Sequence, residues 1–430
     1  MNKYLDETVK YALRSNLAIF PFVRKIEKLY KLTEDELFRV SNERFLKIFR
    51  KAMAKSDFYN KLYKNHGITT RDINSLNDIT KLPIIDKKII QDSPELLLTI
   101  PKIFTWESHT AGSTGTPLTV YWDYFSSLRE QAYFYVYRKR RGFKYGNRLV
   151  SLRGHLNRAL RELKIGLSNT LYLSSYQINE QTIEYYYQRI LSYKPMAIEG
   201  YPSSLYGLCC FMKDRNLHLS IPVCFTSSET LFDFQRNMIE DVLHTDVYDN
   251  YGNTERTVFL AECIDHRGYF SMPGYSVNEF MDDCIITTSL INSSFPLIRY
   301  KVNDIVSPAA TPKLIDSELN IVDFINGRTE DNIIAKDGSQ IGNLYHLFKE
   351  LKNVKLAQIV QHVKGVIAIN IVPDGIFSEK EKTKLIAKID ERIGLSNIDF
   401  TIAIIDDSQI IYTERNKFRQ IVSTVQRQYS

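Results

Sequence analysis

Cysteine is scarce in this sequence: five residues among 430, at positions 209, 210, 224, 263 and 284. An odd number with no C-x-x-C pair excludes a disulfide scaffold and fits a reducing compartment. Cys263 and His266 have half of a zinc-type spacing, but no second pair with ligand spacing follows, so no metal centre is expected there. Long apolar runs are missing too. Nothing approaches the roughly 18 residues of a membrane helix, and the N-terminal stretch MNKYLDETVKYALRSNLAIFPFVRK carries charge inside every window long enough for a signal peptide. A cytoplasmic protein without a membrane span is therefore expected. Nor is there a large charge of one sign, with 56 Lys and Arg against 50 Asp and Glu. The densest basic run, Arg138–Arg141 (RKRR), reads as a solvated face, and nucleic-acid binding is not expected. Internal repeats and low-complexity tracts are absent.

What remains is a globular composition, 44% hydrophobic and 25% charged, in a chain too long for one ordinary core. DETVKYALRSNL and DELFRVSNERFLKIFRKAM space apolar residues by three and four and predict helices. ITTRDINSLNDITKLPIIDKK, with polar turns and Leu-Pro, predicts an extended connector. From Trp106 to about Pro296, the strand candidates RLVSL, MAIEG, VCFTSS, DVYDNYG and CIITTSL alternate with helical patterns such as TIEYYYQRILSY. That alternation argues for an α/β domain with a largely parallel sheet. Beyond Gly327-Arg328 the pattern changes: a hairpin around Asp337-Gly338, helix NLYHLFKEL, strand GVIAINIVP, helix EKEKTKLIAKIDERI and strand DFTIAIID. These compose a small α+β module, giving domains of 1–327 and 328–430.

Gly112-Ser113-Thr114-Gly115-Thr116 packs hydroxyls between glycines. Such a loop forms either a plain turn or a phosphate cradle, because glycine lets backbone N–H groups approach an anion. It is not a Walker loop, since Thr116-Pro117 and a strand-like LTVYW stand where Gly-Lys-Ser/Thr and a helix would be required. Four further stretches follow in order: YDNYGNTERT (248–257), FPLIRYKVNDI (295–305), INGRTED (325–331) and TERNKFRQIV (413–422). Taken singly they read as a strand-end turn, an edge strand, a linker and an exposed basic tail.

Taken in order, they resemble the motifs of the adenylate-forming superfamily, the acyl-CoA synthetases and their relatives. FYNKLYKNHGITTRDINSLNDITKLPIIDKK, GYPSSL and ERTVFLAEC narrow the resemblance to the phenylacetate-CoA ligase-like branch that includes capsule-biosynthesis homologues. It covers the chain from about Asp57 to its end. The resemblance implies a large N-terminal domain with a small C-terminal lid. It also implies a ligase that joins a carboxylate to the α-phosphate of ATP with Mg2+, expels pyrophosphate and passes the acyl group to an acceptor, coenzyme A in the family's usual pattern.

By that resemblance Ser113, Thr114, Gly115 and Thr116 would wrap the β- and γ-phosphates. Ser228, Glu229 and Thr230 would lie along adenine, and Asn250, Tyr251 and Gly252 would border the same pocket. Thr254 would touch the α-phosphate, Glu255 would hold magnesium, Asp304 the ribose hydroxyls, and Arg328 ribose or phosphate. Glu330 or Asp331 would fall at the hinge, and Lys417 would reach the carboxylate and α-phosphate. The acid pocket would involve Arg153–Asn157 and Glu199–Ser204, with His155 a hydrogen-bonding residue rather than a base. Departures from the family pattern are Ala111, Thr116, Asn303 and Asn416; asparagine tolerates the turn conformations that glycine adopts at the last two. The rival reading is a degenerate, non-catalytic relative that binds a nucleotide or a partner.

Overall fold

The computed structural model describes residues 17–110, 118–153, 162–165, 168–281, 284–315, 318–328, 333–337, 340–341, 344–348, 351–412 and 418–425. They fall into two compact units. One comprises the chain up to Leu231, Arg236–Val302 and Val306–Ile325; the other comprises Phe232–Gln235, Asn303–Ile305 and the chain from Asn326.

The larger unit opens with helices Phe20–Leu29, Glu34–Lys55 and Asp57–Asn65. The second starts where Thr33 and Glu36 reciprocally satisfy each other's backbone N–H groups. It buries Phe45, Ile48, Phe49 and Ala52, one face at helical spacing. The first expected helix, DETVKYALRSNL, lies outside the described residues except for Leu17. A hairpin of β1 (Trp106–His109) and β2 (Thr119–Trp122) follows, then helix Tyr124–Arg140. Next come β3 (Leu149–Arg153), β4 (Glu162–Ile165), β5 (Thr170–Ser174), β6 (Ala197–Gly200), β7 (Val223–Ser227) and β8 (Asp246–Gly252). The remaining strands of this sheet are β9 (Phe259–Glu262), β10 (Tyr269–Ser271), β11 (Ser276–Met281), β12 (Cys284–Ser289), β13 (Tyr300–Ile315) and β14 (Glu318–Arg328).

Among the described residues twelve strands make one sheet in the order β11-β12-β13-β14-β10-β9-β8-β7-β6-β3-β5-β4. Its parallel heart is β5, β3, β6, β7 and β8. All five strands expected from the sequence form. Helices Ile183–Tyr193, Pro202–Lys213 and Asp233–Leu243 intervene between the parallel strands, as parallel connections require. One core lies between these helices and the sheet, with Ile183, Ile190, Leu205, Leu208 and Ile239 against Val150, Ile198 and Cys224. A second, rich in aromatics, sets Tyr133 and Tyr137 of helix Tyr124–Arg140 against Phe225 and Phe259. The FPLIRYKVNDI stretch, an edge strand on its local pattern, instead enters the interior strand β13, flanked by β12 and β14.

In the smaller unit the short pair β15 (Ile333–Ile334) and β16 (Gln340–Ile341) is antiparallel, as the hairpin expectation required. A four-stranded sheet follows, ordered β19 (Asp399–Ile404), β18 (Val366–Pro373), β17 (Val354–Val363) and β20 (Ile421–Ser423). Helix Glu379–Arg392 buries Leu385 and Ile389 in the core beside this sheet. One expectation needs correction here, and one strand was not expected. NLYHLFKEL yields only a 3-10 turn, Leu344–Leu347, among the described residues. The long strand β17 carried no recognisable signal because Gln358 and Gln361 interrupt its apolar run. Both are fully buried. Gln358 bonds the Ile411 and Arg419 backbone at 2.8–3.0 Å, and Gln361 clamps both backbone groups of Ile334 at 2.7–2.8 Å.

Candidate active site

Parallel strands bring their carboxyl ends to one side of a sheet, and ligands of such sheets bind there, where the strand order reverses. The chain runs from β3 outward to β5, then returns to place β6 on the other flank of β3. The crevice so defined is between β3 and β6, where Ser151 faces Glu199. Next along the sheet, Gly200 of β6 pairs with Thr226 of β7, and Ser227 of β7 with Asn250 of β8. The register therefore gathers Glu199–Tyr201, Ser228–Thr230 and Asn250–Gly252 along one rim.

The loop Ser228–Thr230 is held, not loose. Ser228 adopts φ +69°, a conformation uncommon for a residue with a side chain and frequent at functional loops. The Glu229 carboxylate accepts from the Ser203 N–H at 3.1 Å, at the start of helix Pro202–Lys213, where an anion is favoured. Thr230 Oγ1 lies 3.5 Å from the Ile325 carbonyl. Asn250 is buried, Tyr251 half-buried and Gly252 exposed.

Beneath Asn250, every polar part of buried Asp249 is occupied. Its carboxylate accepts from Thr226 Oγ1 at 2.6 Å and Tyr269 Oη at 2.8 Å. Its N–H donates to Glu262 Oε2 at 2.7 Å, and its carbonyl accepts from Tyr137 Oη at 2.9 Å. Burial, then the neighbouring Glu262 carboxylate, pushes the Asp249 carboxyl up to about 7. Glu262 is itself paired with Arg236, whose other nitrogen donates to the Val247 carbonyl. This network fixes the backbone that leads into Asn250-Tyr251-Gly252. It was not legible beforehand, because its members are scattered from position 137 to position 269.

The turn between β8 and β9 presents Thr254 and Glu255. Asn253 closes it, accepting from the Thr257 N–H at 2.9 Å and donating to Thr257 Oγ1 at 2.8 Å. Thr254 is exposed; Glu255 is half-buried and accepts from Tyr300 Oη at 2.9 Å. Arg256, at φ +50°, turns inward with its guanidinium 4.1 Å from the Trp122 ring. Next to Tyr300, Arg299 is buried and forked onto Glu279 at 3.1 and 2.9 Å, fixing the start of β13.

At the β3–β6 crevice, Glu199 accepts from Arg138 and from Ser151 Oγ, the latter at 2.7 Å, while Arg153 lies 3.6 Å away. Burial alone would push the Glu199 carboxyl up. Arg138, Arg153 and Ser151 outweigh it and hold the group below the usual carboxylate range. The RKRR run is thus a solvated face only in part: Lys139 and Arg140 are exposed, Arg138 and Arg141 are not. Arg138 pairs with Glu199, buried Arg141 donates to the Glu262 carbonyl at 2.7 Å, and Arg140 stacks 4.2 Å from the Tyr30 ring. Lys139 and Arg140 remain exposed, Lys139 paired with half-exposed Glu27. A helix places two residues of any four-residue run toward its core, and tyrosines at 133 and 137 mark that side.

Ser113, Thr114, Gly115, Thr116 and Lys417 lie outside the described residues, as do Glu330, Asp331 and His155. Asp304 is half-buried on β13, and Arg328 is the last residue of β14. Cys263 is fully buried, and His266 Nδ1 lies 3.1 Å from Arg236; no cluster able to hold a metal through His, Cys, Asp or Glu occurs among the described residues.

The mixed sheet with its parallel heart and the small α+β unit define the fold of the adenylate-forming acid–CoA ligases. The chain matches 2-hydroxyisobutyryl-CoA ligase in the postadenylation state in complex with 2-HIB-AMP, with a TM-score of 0.65 at 15% identity, over 91% of this chain and 90% of that one. The structure of that ligase with 2-HIB-AMP and CoA in the thioesterification state matches with a TM-score of 0.57 over 91% and 90%. In sequence, residues 333–424 match the CapK C-terminal domain family. Protein CapK of Staphylococcus aureus is 24% identical over 390 residues, 84% of each chain. No described helix is long and apolar enough to cross a membrane.

Proposed function

We propose that this chain is an ATP-dependent carboxylic acid ligase that forms an acyl-adenylate, releases pyrophosphate and passes the acyl group to coenzyme A. The observation that carries this reading is the gathering of Ser228–Thr230, Asn250–Gly252 and Thr254–Glu255 at the carboxyl ends of β7 and β8. Their fold is shared with a ligase whose structures hold an acyl-adenylate and CoA. In this reading the domains are 1–327 and 328–430, the second a lid that carries Lys417. Ser113–Thr116 wrap the β- and γ-phosphates, Asn250–Gly252 border adenine, Asp304 accepts from ribose hydroxyls, and Arg328 contacts ribose or phosphate. The acid substrate arrives already ionised, so no general base is required. The residues must align two anions for attack and screen their repulsion.

A half-buried carboxylate braced by a phenol, with an exposed threonine hydroxyl beside it, is an oxygen donor set that fits Mg2+. Glu255 would hold the ion, which supplies neutralising charge to the phosphates. The match to CapK and the resemblance to capsule-biosynthesis homologues support a place in surface or capsular polysaccharide synthesis, in the cytoplasm where ATP and coenzyme A are found.

The test is ATP–pyrophosphate exchange by the full chain against aryl, fatty, hydroxy and amino acids. Exchange that depends on one acid class and on Mg2+ is expected. Absence of exchange with every class, together with ATP binding by calorimetry, would replace the ligase with the non-catalytic nucleotide-binding reading.

A further inference from the structure

Away from that rim, four cations share one place on the larger unit without a carboxylate of their own. Arg44, Lys47 and Lys51 are spaced by three and four on helix Glu34–Lys55 and so project from one face. Arg129 comes from helix Tyr124–Arg140. Lys51 is within electrostatic reach of Arg129 and Lys47, and Arg129 within reach of Arg44. Like charges at such spacing destabilise a helix slightly, and half-burial adds to the cost of Arg44, Lys51 and Arg129.

Three of the four are nevertheless held in place, each by a neutral acceptor. Arg44 Nη1 donates to the Gly274 carbonyl at 2.8 Å, Arg129 Nη1 to the Ile291 carbonyl at 2.8 Å, and Lys51 Nζ to Ser293 Oγ at 3.2 Å. Gly274 has φ +69°, and a Cβ there would stand 2.7 Å from Arg44 Nη1. The missing side chain is therefore what admits the guanidinium. None of the four cations forms an ion pair among the described residues. Asp123, the acid within reach of Lys51 and Arg129, accepts from the Phe125 and Ser126 N–H groups at 2.8 and 3.0 Å as a helix cap. Burial, followed by Arg129 and Lys47 against the opposing pull of Asp123, lowers the Lys51 ammonium from its ordinary value.

We propose that Arg44, Lys47, Lys51 and Arg129 form a binding site for a phosphate-class oxyanion, distinct from the adenylation site. Two planar guanidinium forks and two ammonium groups match a compact dianion better than a single carboxylate, because charge and donors are both in excess of what one carboxylate accepts. The same chemistry is presented by a soluble phosphate ester and by a phospholipid headgroup.

The test compares the full-length protein with the Lys47→Gln, Lys51→Gln double variant, and with an Arg50→Gln, Lys61→Gln control carrying the same charge change on exposed positions. Inorganic phosphate is titrated by calorimetry and by thermal melting at low and high salt, and sedimentation with phosphatidic acid vesicles in a phosphatidylcholine background forms the second arm. Saturable phosphate binding, weakened at least tenfold in the double variant but not in the control, is expected. Vesicle binding lost in the same variant, without response to free phosphate, assigns the headgroup as the source. Equal behaviour of the three proteins in both arms overturns the site. No arm depends on ligase activity, so failure here is separate from failure of the ligase reading.

Discussion

Asp249 is the side chain on which the Asn250–Gly252 rim rests, and its chemistry predicts how stability depends on pH. Folded, it titrates near 7; in an unfolded chain a carboxyl titrates at about 3.9. The residue favours the fold fully below about pH 4, loses that contribution as pH rises, and changes nothing further above about 7. Asp249→Asn lacks this dependence but forfeits one of two hydroxyl contacts. Wild type should therefore lose on the order of 2 kcal/mol relative to the variant between pH 5 and pH 8, measured by urea unfolding. A constant difference across that range would show that Asp249 is ionised throughout. Glu199 behaves oppositely. Its depressed titration adds stability above about pH 4.3 that fades as acid is added. Glu199→Gln should cost about 1.5–3 kcal/mol at pH 7, with the penalty shrinking toward pH 3, because Arg138 keeps its charge and loses its partner. Glu199 was legible in the sequence as part of EGYPSS, but Arg138, fifteen positions before Arg153, was hidden inside a basic run whose sides only a helix could sort.

At the scale of elements, the strands that place the rim were readable because β-branched runs bounded by turns interleave with helical spacing. Their register was not. Ser227 beside Asn250, and Ser151 beside Glu199, follow from hydrogen-bonded pairing that no local pattern encodes. The same limit hid the tie between β13 and the β8–β9 turn, where Tyr300 braces Glu255 across 45 positions. RYKVNDI could be matched by its Asp304, while the function of its tyrosine needed three dimensions. Tyr300→Phe retains the buried ring and deletes only the hydroxyl. Losing one hydrogen bond of about 1 kcal/mol should raise the Mg2+ concentration for half-maximal exchange by roughly fivefold. The melting temperature should move by only a few degrees. Magnesium titration of the exchange reaction reads this directly, and an unchanged requirement would detach Glu255 from the metal.

For the molecule as a whole, the proposed ligase must run two chemically different steps with one set of residues, and the INGRTED junction suggests a lid that serves both. Adenylation brings a carboxylate onto the α-phosphate, so negative charge shifts between two groups that already repel. An ammonium placed there by Lys417 is worth most in the transition state, and Lys417→Ala should lower the rate of pyrophosphate exchange by about 10²- to 10³-fold. Transfer to the thiol of coenzyme A begins from a neutral carbonyl of the acyl-adenylate, where the same ammonium has no incoming carboxylate to meet. The variant should therefore consume a chemically supplied acyl-adenylate at close to the wild-type rate, once exchange has identified the acid. Single-turnover measurement of each half-reaction separates the cases. Equal loss in both would mean that Lys417 stays at the reacting centre throughout and that the lid does not exchange positions. Normal exchange by Lys417→Ala would remove the lysine from the chemistry and favour the non-catalytic reading of the chain.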